Sequence, residues 1–244
     1  MEYEGSYIPP EENFTDDMPV KKGTLLGDNF AEGCMSTVPT DIINPVWEGI
    51  THAEMPRGKD GKRYWNKRGD GLYTLGDSKW ADYEVNIDMA FNKDSHEQAE
   101  FMLQVRYQNI SVYDKLVRYY GVSFRDGNKL VFEKYEAGGI TISQQAVIPA
   151  YADRARHRLR VKLLDKNYEV YLDDKLLISG ADDLRPVTYG SIALKFTDAD
   201  MAIHLVEVLE VEDPVNGSAD NYLLDYYDTP LPAHLEKYGY TNDQ

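Results

Sequence analysis

Apolar and polar side chains alternate along residues 79–91 (KWADYEVNIDMAF), which places Tyr83, Val85, Ile87, Met89 and Phe91 on one face. A two-residue period is typical of a strand that turns one face to the core. The same period returns in seven later segments: 101–107, 120–124, 130–135, 159–163, 168–172, 192–196 and 203–211. The pattern therefore predicts an all-β protein built from antiparallel strands.

Turn-forming residues separate these segments and predict hairpins. Examples are Asp126-Gly127-Asn128, Gly138-Gly139 and Asp173-Asp174. No long helical period and no repeat of fixed length interrupts the run, which favours a two-sheet antiparallel jelly-roll sandwich over a propeller or a solenoid. We predict this sandwich for residues 25–213, with an extended, proline-containing N-terminal arm (1–24) and an acidic, tyrosine-rich C-terminal tail (214–244) that packs on it.

The charge balance limits the partners that the protein can have. Among 244 residues, Lys and Arg total 26 against 42 Asp and Glu, for a formal net charge of −16. A surface this acidic repels phosphate backbones and anionic lipid headgroups, so we expect neither nucleic acid nor a membrane as partner. Cys34 is the only cysteine in the sequence, and an internal disulfide is therefore excluded.

The N-terminal sequence bears on the location of the protein. Residues 1–4 (MEYE) have neither the charged n-region nor the apolar h-region of a signal peptide, so we expect a cytoplasmic location for the chain as written. Three sequons, at Asn13, Asn109 and Asn216, keep an extracellular location open if a signal peptide has been removed.

The serial order of several short segments carries a family resemblance across residues 27–211. These segments are GDNF (27–30), WADYEV (80–85), YYGVSF (119–124), GNKLVFEK (127–134), RHRLRV (156–161), YEVYLDD (168–174), YGSIAL (189–194) and the closing strand 203–208. In this order they resemble the concanavalin A-like lectin and glucanase superfamily, and within it the laminin-G-like and keto-disaccharide hydrolase-like sandwiches. The resemblance implies two packed antiparallel sheets, one of them curved, with saccharide on the concave face or at the loop edge. Such relatives include binding modules, glycosidases and lyases, so the fold does not choose among these functions.

Alternating carboxyl groups on one strand are the first candidates for catalysis. Glu84, Asn86 and Asp88 project from one strand face, an arrangement similar to that of laminarinase-type glycosidases, although Asn86 stands where a carboxylate is expected. Carboxyls two residues apart approach the roughly 5–5.5 Å separation that a retaining glycosidase needs. Glu84, Asp88 or, on a later strand, Glu133 is the predicted acid or base, and a solvated outer strand face is the alternative interpretation.

A mixture of polar and aromatic groups on other strands indicates a binding face. Gln104 and Arg106 share one strand face by alternation, and Tyr119, Glu133 and Tyr135 lie on the next hairpin. Amide, guanidinium and phenol groups suit sugar hydroxyls, and aromatic rings suit the apolar face of a pyranose. The alternative is that Arg106 and Glu133 form an ordinary cross-strand ion pair.

Two tryptophans are further candidates for sugar platforms. Trp47 and Trp65 lie in an irregular, aromatic-rich region, where loops often build a binding edge. Core packing is the alternative for both residues.

No cofactor is required by any motif in the sequence, and one structural metal is considered. Related sandwiches often hold calcium where the terminal strands meet, and Asp28 is the candidate ligand, with Glu32, Asp198 and Asp200 as further oxygen donors. The histidines lack the spacing of a zinc site.

The function predicted from the sequence is recognition of an oligosaccharide or glycoside on the concave face of a β-sandwich. The alternative is a glycoside hydrolase, or a lyase in which Tyr119, Arg106 and His157 converge on a sugar. A structural or adhesive protein that uses its arm and tail as contact surface is the second alternative. The sequence leaves the oligomeric state open.

Overall fold

Antiparallel strands occupy the segments for which the alternation predicts them. The computed structural model describes residues 24–30, 47, 55–92, 100–109 and 117–211. Its strands are β1 (Thr24–Asp28), β2 (Trp65–Leu75), β3 (Tyr83–Phe91), β4 (Glu100–Asn109), β5 (Val117–Arg125), β6 (Lys129–Glu136), β7 (Gly139–Val147), β8 (Arg156–Leu164), β9 (Asn167–Leu172), β10 (Lys175–Ala181) and β11 (Ser191–Glu210). Within these residues no helix is long and apolar enough to cross a membrane. Apart from Thr24, the predicted arm and tail lie outside the described residues.

The long strand β11 joins two layers of one continuous sheet. Its C-terminal half pairs with β3, and the first layer runs β10-β9-β8-β3-β11, with β1 and the start of β2 along the other edge of β11. Its N-terminal half pairs with β4, and the second layer runs from the end of β2 through β11-β4-β5-β6-β7. All these pairings are antiparallel, so the predicted all-β sandwich is confirmed.

A corner in β11 and β2 lets the chain pass from one layer to the other. The register between the two strands shifts between Phe196 and Ala199, where Asp198 has a positive φ of 44°. The Asp198 backbone N–H donates to Asp70 Oδ1 at 2.7 Å, which ties the two bends together. Lys67 Nζ donates to three successive carbonyls, those of residues 68, 69 and 70, at 2.6–3.0 Å. A bulge held in this way turns both strands at one place.

The core lies between the two layers and is rich in aromatic rings. Phe132 of the second layer stacks on Tyr168 of the first, with ring centroids 4.0 Å apart. Phe91 of β3 contacts Phe124 of β5 at 5.2 Å. The alternating residues of β3 from Tyr83 onward are fully buried in this core, as the sequence predicts. Because inward-facing side chains fill the interior, any binding site on these strands must use their outer faces.

One glycine is required where the second layer begins. Gly190 precedes β11 with a φ of 147°, and a Cβ placed there would lie 2.4 Å from the Arg106 carbonyl carbon and 2.7 Å from the Tyr107 carbonyl oxygen. We expect Gly190→Ala to lower the free energy of unfolding by about 2 kcal/mol or more, because both the backbone conformation and the contact forbid a side chain. Urea denaturation followed by tryptophan fluorescence measures the change.

Gly139→Ala is the matched control for this prediction. Gly139 lies in β7, and a Cβ there meets nothing closer than a carbonyl oxygen at 3.9 Å. Its substitution should change the free energy of unfolding by less than about 0.5 kcal/mol. Equal losses in both variants would contradict the role given to Gly190.

Candidate functional site

A groove lies on the outer face of the second layer. It encloses about 510 Å³, which is within the size range of small-ligand pockets. The side chains on the second-layer strands that line it include Leu72, Gln104, Tyr107, Tyr119, Tyr135 and Lys195. We call this space the tyrosine groove.

The strand register brings these side chains side by side. Tyr119 of β5 pairs with Tyr135 of β6, and Gln104 of β4 pairs with Gly121, one step along the same outer face. The inward neighbours Leu103 and Tyr120 belong to the core, which confirms the direction of the outward residues. The sequence alternation alone thus places an amide and two phenols on one surface.

Three tyrosine rings form an aromatic row in the groove. The rings of Tyr119 and Tyr135 are stacked, with centroids 5.2 Å apart and planes 13° apart. Tyr107 lies beside Tyr119 at 6.3 Å, tilted by 35°. Such a row offers flat apolar surface with polar hydroxyl edges, the combination that suits a pyranose ring.

Gly121 allows the ring of Tyr119 to lie flat along the sheet. A Cβ at this position would meet Tyr119 Cε2 at 3.2 Å and Met102 Sδ at 3.1 Å. Any larger residue there would push these side chains into the groove. The absence of a side chain at residue 121 therefore keeps the groove open beside Gln104.

Gln104 supplies an acceptor whose hydrogen-bonding capacity is unused. The side chain is 4% exposed, and its Oε1 has no hydrogen-bond partner. Its Nε2 contacts Met102 Sδ at 3.5 Å, and the Gln104 side chain also hydrogen-bonds Tyr119. Because an unsatisfied buried acceptor costs free energy, a ligand hydroxyl that donates to Oε1 would remove that cost.

The Tyr119 hydroxyl remains protonated throughout the neutral range. Burial, followed by the nearby Tyr135 and Glu133, raises the pKa of Tyr119 to about 12, while Gln104 and Arg125 act in the opposite direction. A phenol with this pKa is a hydrogen-bond donor at neutral pH rather than a base. This property suits recognition of sugar oxygens and opposes a role for Tyr119 in proton abstraction.

Ion pairs connect strands β4, β5 and β6 beside the tyrosine groove. Arg125 binds Glu133 through two hydrogen bonds, at 2.7 and 3.1 Å, and also binds Glu100 at 2.9 Å. Both carboxylate oxygens of Glu133 are thus used by one guanidinium group. The sequence interpretation of Arg106 as the ion-pair partner of Glu133 is wrong, because Arg125 takes that place.

Arg106 faces the interior, which corrects its predicted place beside Gln104. The residue has a positive φ of 48° in a bulge of β4, and its side chain is 1% exposed. Its guanidinium donates to the carbonyls of Ala81, Asp165 and Val187 and to the carboxylate of Asp82, at 2.6–3.0 Å. The bulge breaks the alternation on which the prediction rested.

The same bulge turns Tyr107, which the sequence analysis missed, toward the tyrosine groove. Tyr107 lines the tyrosine groove in the region where alternation would have placed Arg106. The only sequence feature near it was the QVRYQN run, which carries no mark of a bulge. Lys195 of β11 was missed as well, although its outward position follows from the period of β11.

The two tryptophans predicted as platforms are core residues. Trp47 and Trp65 are 5% and 2% exposed, and their rings meet edge to face at 5.5 Å. Trp65 also packs on Tyr73 and Phe196, with centroids 4.9 and 5.5 Å away. The platform interpretation is therefore wrong for both, because their aromatic surface is already used inside the sandwich.

The three predicted catalytic carboxylates do not form one site. Glu84 and Asp88 lie on the outer face of the first layer, whereas Glu133 lies on the outer face of the second. Asp88 accepts hydrogen bonds from Nε and Nη2 of Arg158 at 2.7 and 2.9 Å, and Glu84 accepts a hydrogen bond from Asn86 at 3.1 Å. Glu133 therefore cannot act together with Glu84 or Asp88 in one site, and sequence does not reveal to which layer a strand face belongs.

The grouping proposed for a lyase is not formed either. His157 lies on β8 of the first layer, where it contacts Asp173 at 2.8 Å and Asp153 at 3.3 Å. Arg106 is turned into the interior, and only Tyr119 of the three lines the groove. A convergence of these three side chains on one sugar is therefore contradicted.

Asp28, the candidate calcium ligand, uses both carboxylate oxygens within the protein. Oδ1 accepts the Phe30 backbone N–H at 2.7 Å, and Oδ2 accepts the Trp47 indole N–H at 2.9 Å. Across the described part of the chain, no group of three or more His, Cys, Asp or Glu side chains is arranged to hold a metal ion. Glu32 lies outside the described residues, and the calcium interpretation stays a prediction.

Comparison with known proteins shows similarity of structure without similarity of sequence. No known protein family and no curated protein matches the sequence. Among solved structures, the carbohydrate-binding module CBM66 from Bacillus subtilis covers 67% of this chain and 95% of its own, with 18% identity and a TM-score of 0.50. The β-glucanase of Bacillus licheniformis covers 68% and 92%, with 10% identity and a TM-score of 0.52.

A third structure extends the match to a larger part of the chain. It comes from work on endo-acting O-glycanases that members of the human gut microbiota express for mucin breakdown, and it covers 78% of this chain and all of its own. Its identity is 11% and its TM-score 0.57. Similarities at this level show a shared fold, and they agree with the predicted jelly-roll sandwich.

Proposed function

Because the chain has the fold of the concanavalin A-like lectins and glucanases, we propose that it is a carbohydrate-binding protein whose tyrosine groove holds a saccharide. One observation carries this proposal: stacked tyrosines and a buried, unpartnered amide oxygen line the same groove. Rings of Tyr119 and Tyr135 supply apolar contact, while Gln104 accepts from a sugar hydroxyl. The carbohydrate-binding module among the structural neighbours supports the same class of ligand.

A glycan array followed by isothermal titration calorimetry tests this proposal. We expect the folded protein to bind at least one class of oligosaccharide. Lys175→Gln, on the exposed start of β10 in the first layer, serves as a control and should leave the affinity unchanged. Absence of binding to every glycan, with folding verified by circular dichroism, would refute the proposal.

The pH dependence of binding separates recognition from base catalysis by Tyr119. Because the pKa of Tyr119 is about 12, its hydroxyl keeps the proton across the neutral and mildly alkaline range. Calorimetry between pH 7 and about pH 8.5 should therefore give an affinity that changes less than about twofold, since the groove loses no proton from Tyr119 in that range. A lyase that used Tyr119 as its base would instead gain activity steadily as the pH rises.

We infer binding rather than turnover from the state of Glu133, the predicted catalytic carboxylate that lies beside the tyrosine groove. Glu133 is held by Arg125 through both oxygens, so it is an ion-pair acceptor rather than the proton donor that glycosidic cleavage needs. Prolonged incubation of a bound oligosaccharide should give no shorter products in chromatography. Cleavage that disappears in Glu133→Gln would establish the glycosidase alternative instead.

The adhesive alternative depends on the arm and the tail, which lie outside the described residues. It predicts self-association that is lost when residues 214–244 are removed. Light scattering on both forms of the protein, with and without the bound saccharide, separates this function from carbohydrate binding.

A further inference from the structure

A second cavity adjoins the tyrosine groove at the end of the second layer. It encloses about 1020 Å³ and shares Leu72 and Tyr107 with the tyrosine groove. Its other lining residues include Ser78, Gln108 and Ser191. We call it the end cavity. Each cavity alone is of a size that holds a small ligand, so a single sugar unit does not fill both.

The bulge in β4 sets the boundary between the two cavities. Arg106 turns inward there, and the next residue, Tyr107, lines both cavities. Leu72 of β2 lies at the same boundary and is 46% exposed. An apolar, exposed boundary favours a ligand that crosses it rather than two ligands held apart.

Each cavity has its own buried amide acceptor on β4. Gln108 is 5% exposed, and its Nε2 donates to the Tyr189 carbonyl at 2.7 Å while its Oε1 has no hydrogen-bond partner. Gln104 has the same property in the tyrosine groove: its side chain is 4% exposed, and its Oε1 has no hydrogen-bond partner. The two amides lie on either side of the bulge in β4, one in each cavity.

We propose that the two cavities form one continuous binding site for a linear oligosaccharide, with the end cavity as a separate subsite centred on Gln108. This inference rests on the proposed function and adds the class of ligand: an extended chain rather than a single terminal sugar. Hydroxyls of successive units donate to Gln104 and Gln108, and the chain passes over Leu72 between them.

Chain length in the ligand tests this proposal directly. The probes are cello-, laminari-, manno- and xylo-oligosaccharides, each from disaccharide to hexasaccharide, titrated by calorimetry. In the series that binds, the hexasaccharide should bind at least tenfold more tightly than the disaccharide. Affinity that does not increase with length, or failure of all four series, would overturn the second subsite, whereas the glycan array decides the proposed function separately.

Two variants locate the gain in affinity. Gln108→Leu removes the amide from the end cavity, and Ser78→Trp fills the cavity from an exposed turn, where folding is not at risk. Each should reduce the affinity for the hexasaccharide to that for the disaccharide, with the disaccharide affinity unchanged. An equal loss for both lengths, or no loss for either, would show that the end cavity is not a subsite.

Discussion

Replacement of Arg106 by methionine is expected to lower the free energy of unfolding by about 3–5 kcal/mol, the cost typical of breaking a buried ion pair from one side. The side chain is 1% exposed and donates to three carbonyls and to the Asp82 carboxylate. Methionine fills much of the same volume. The loss of free energy therefore arises from buried acceptors that are left without donors rather than from a cavity. Equilibrium urea denaturation measures it.

Arg68→Met is the matched control for Arg106. Its guanidinium lies 3.8 Å from Asp200 and is 61% exposed, so its removal should change the free energy of unfolding by less than about 0.5 kcal/mol. A loss below about 1 kcal/mol in Arg106→Met would contradict the view that this residue fixes the bulge and the segments around it.

Replacement of Tyr135 by alanine is expected to weaken saccharide binding by about thirtyfold, which corresponds to about 2 kcal/mol. Tyr135 is partly exposed, and its ring stacks on Tyr119 rather than on the core. Truncation therefore removes the stacking surface and leaves the sandwich intact. Calorimetry with the best oligosaccharide from the array measures the loss, and thermal denaturation verifies the fold.

Two further variants interpret the Tyr135 result. Tyr171→Ala removes a tyrosine from the first layer, where its ring packs on Arg160 at 3.9 Å, and should leave binding unchanged. Tyr119→Phe keeps the ring and loses only the hydroxyl, so its effect should be smaller than that of Tyr135→Ala. If Tyr171→Ala weakened binding as much as Tyr135→Ala, the saccharide site would lie on the other face of the protein.

The alternation of polar and apolar residues predicted the central strands because they have one buried and one outward face. β3 and β6 follow the pattern closely, with Val85, Ile87 and Phe132 in the core. It also placed Gln104, Tyr119 and Tyr135 on a common outer surface. The register between neighbouring antiparallel strands then brings these three side chains close together.

The pattern failed where no clear period exists. β7 and β10 end the two layers and expose many side chains, so their sequences show little hydrophobic signal. β2 contains the polar run Asn66–Asp70 with its bulge at the corner, and it was interpreted as irregular. Trp47 and Trp65 were assigned to binding loops for the same reason, although both pack inside.

Two features of the site depend on contacts that no local sequence pattern reveals. The bulge at Arg106 exchanges the places of Arg106 and Tyr107, and it is held by distant groups such as Tyr83, Gly190 and Val187. The separation of Glu84 from Glu133 arises because β3 and β6 belong to different layers. Both features depend on long-range packing, which the local sequence around these residues does not show.

A nuclear magnetic resonance titration of the isotope-labelled protein with the best-binding oligosaccharide tests the central claim most directly. The account predicts that the largest shift changes occur at Gln104, Tyr119 and Tyr135, with saturation at the calorimetric stoichiometry. Shift changes centred instead on Glu84, Asn86 and Asp88, across the sandwich, would contradict it.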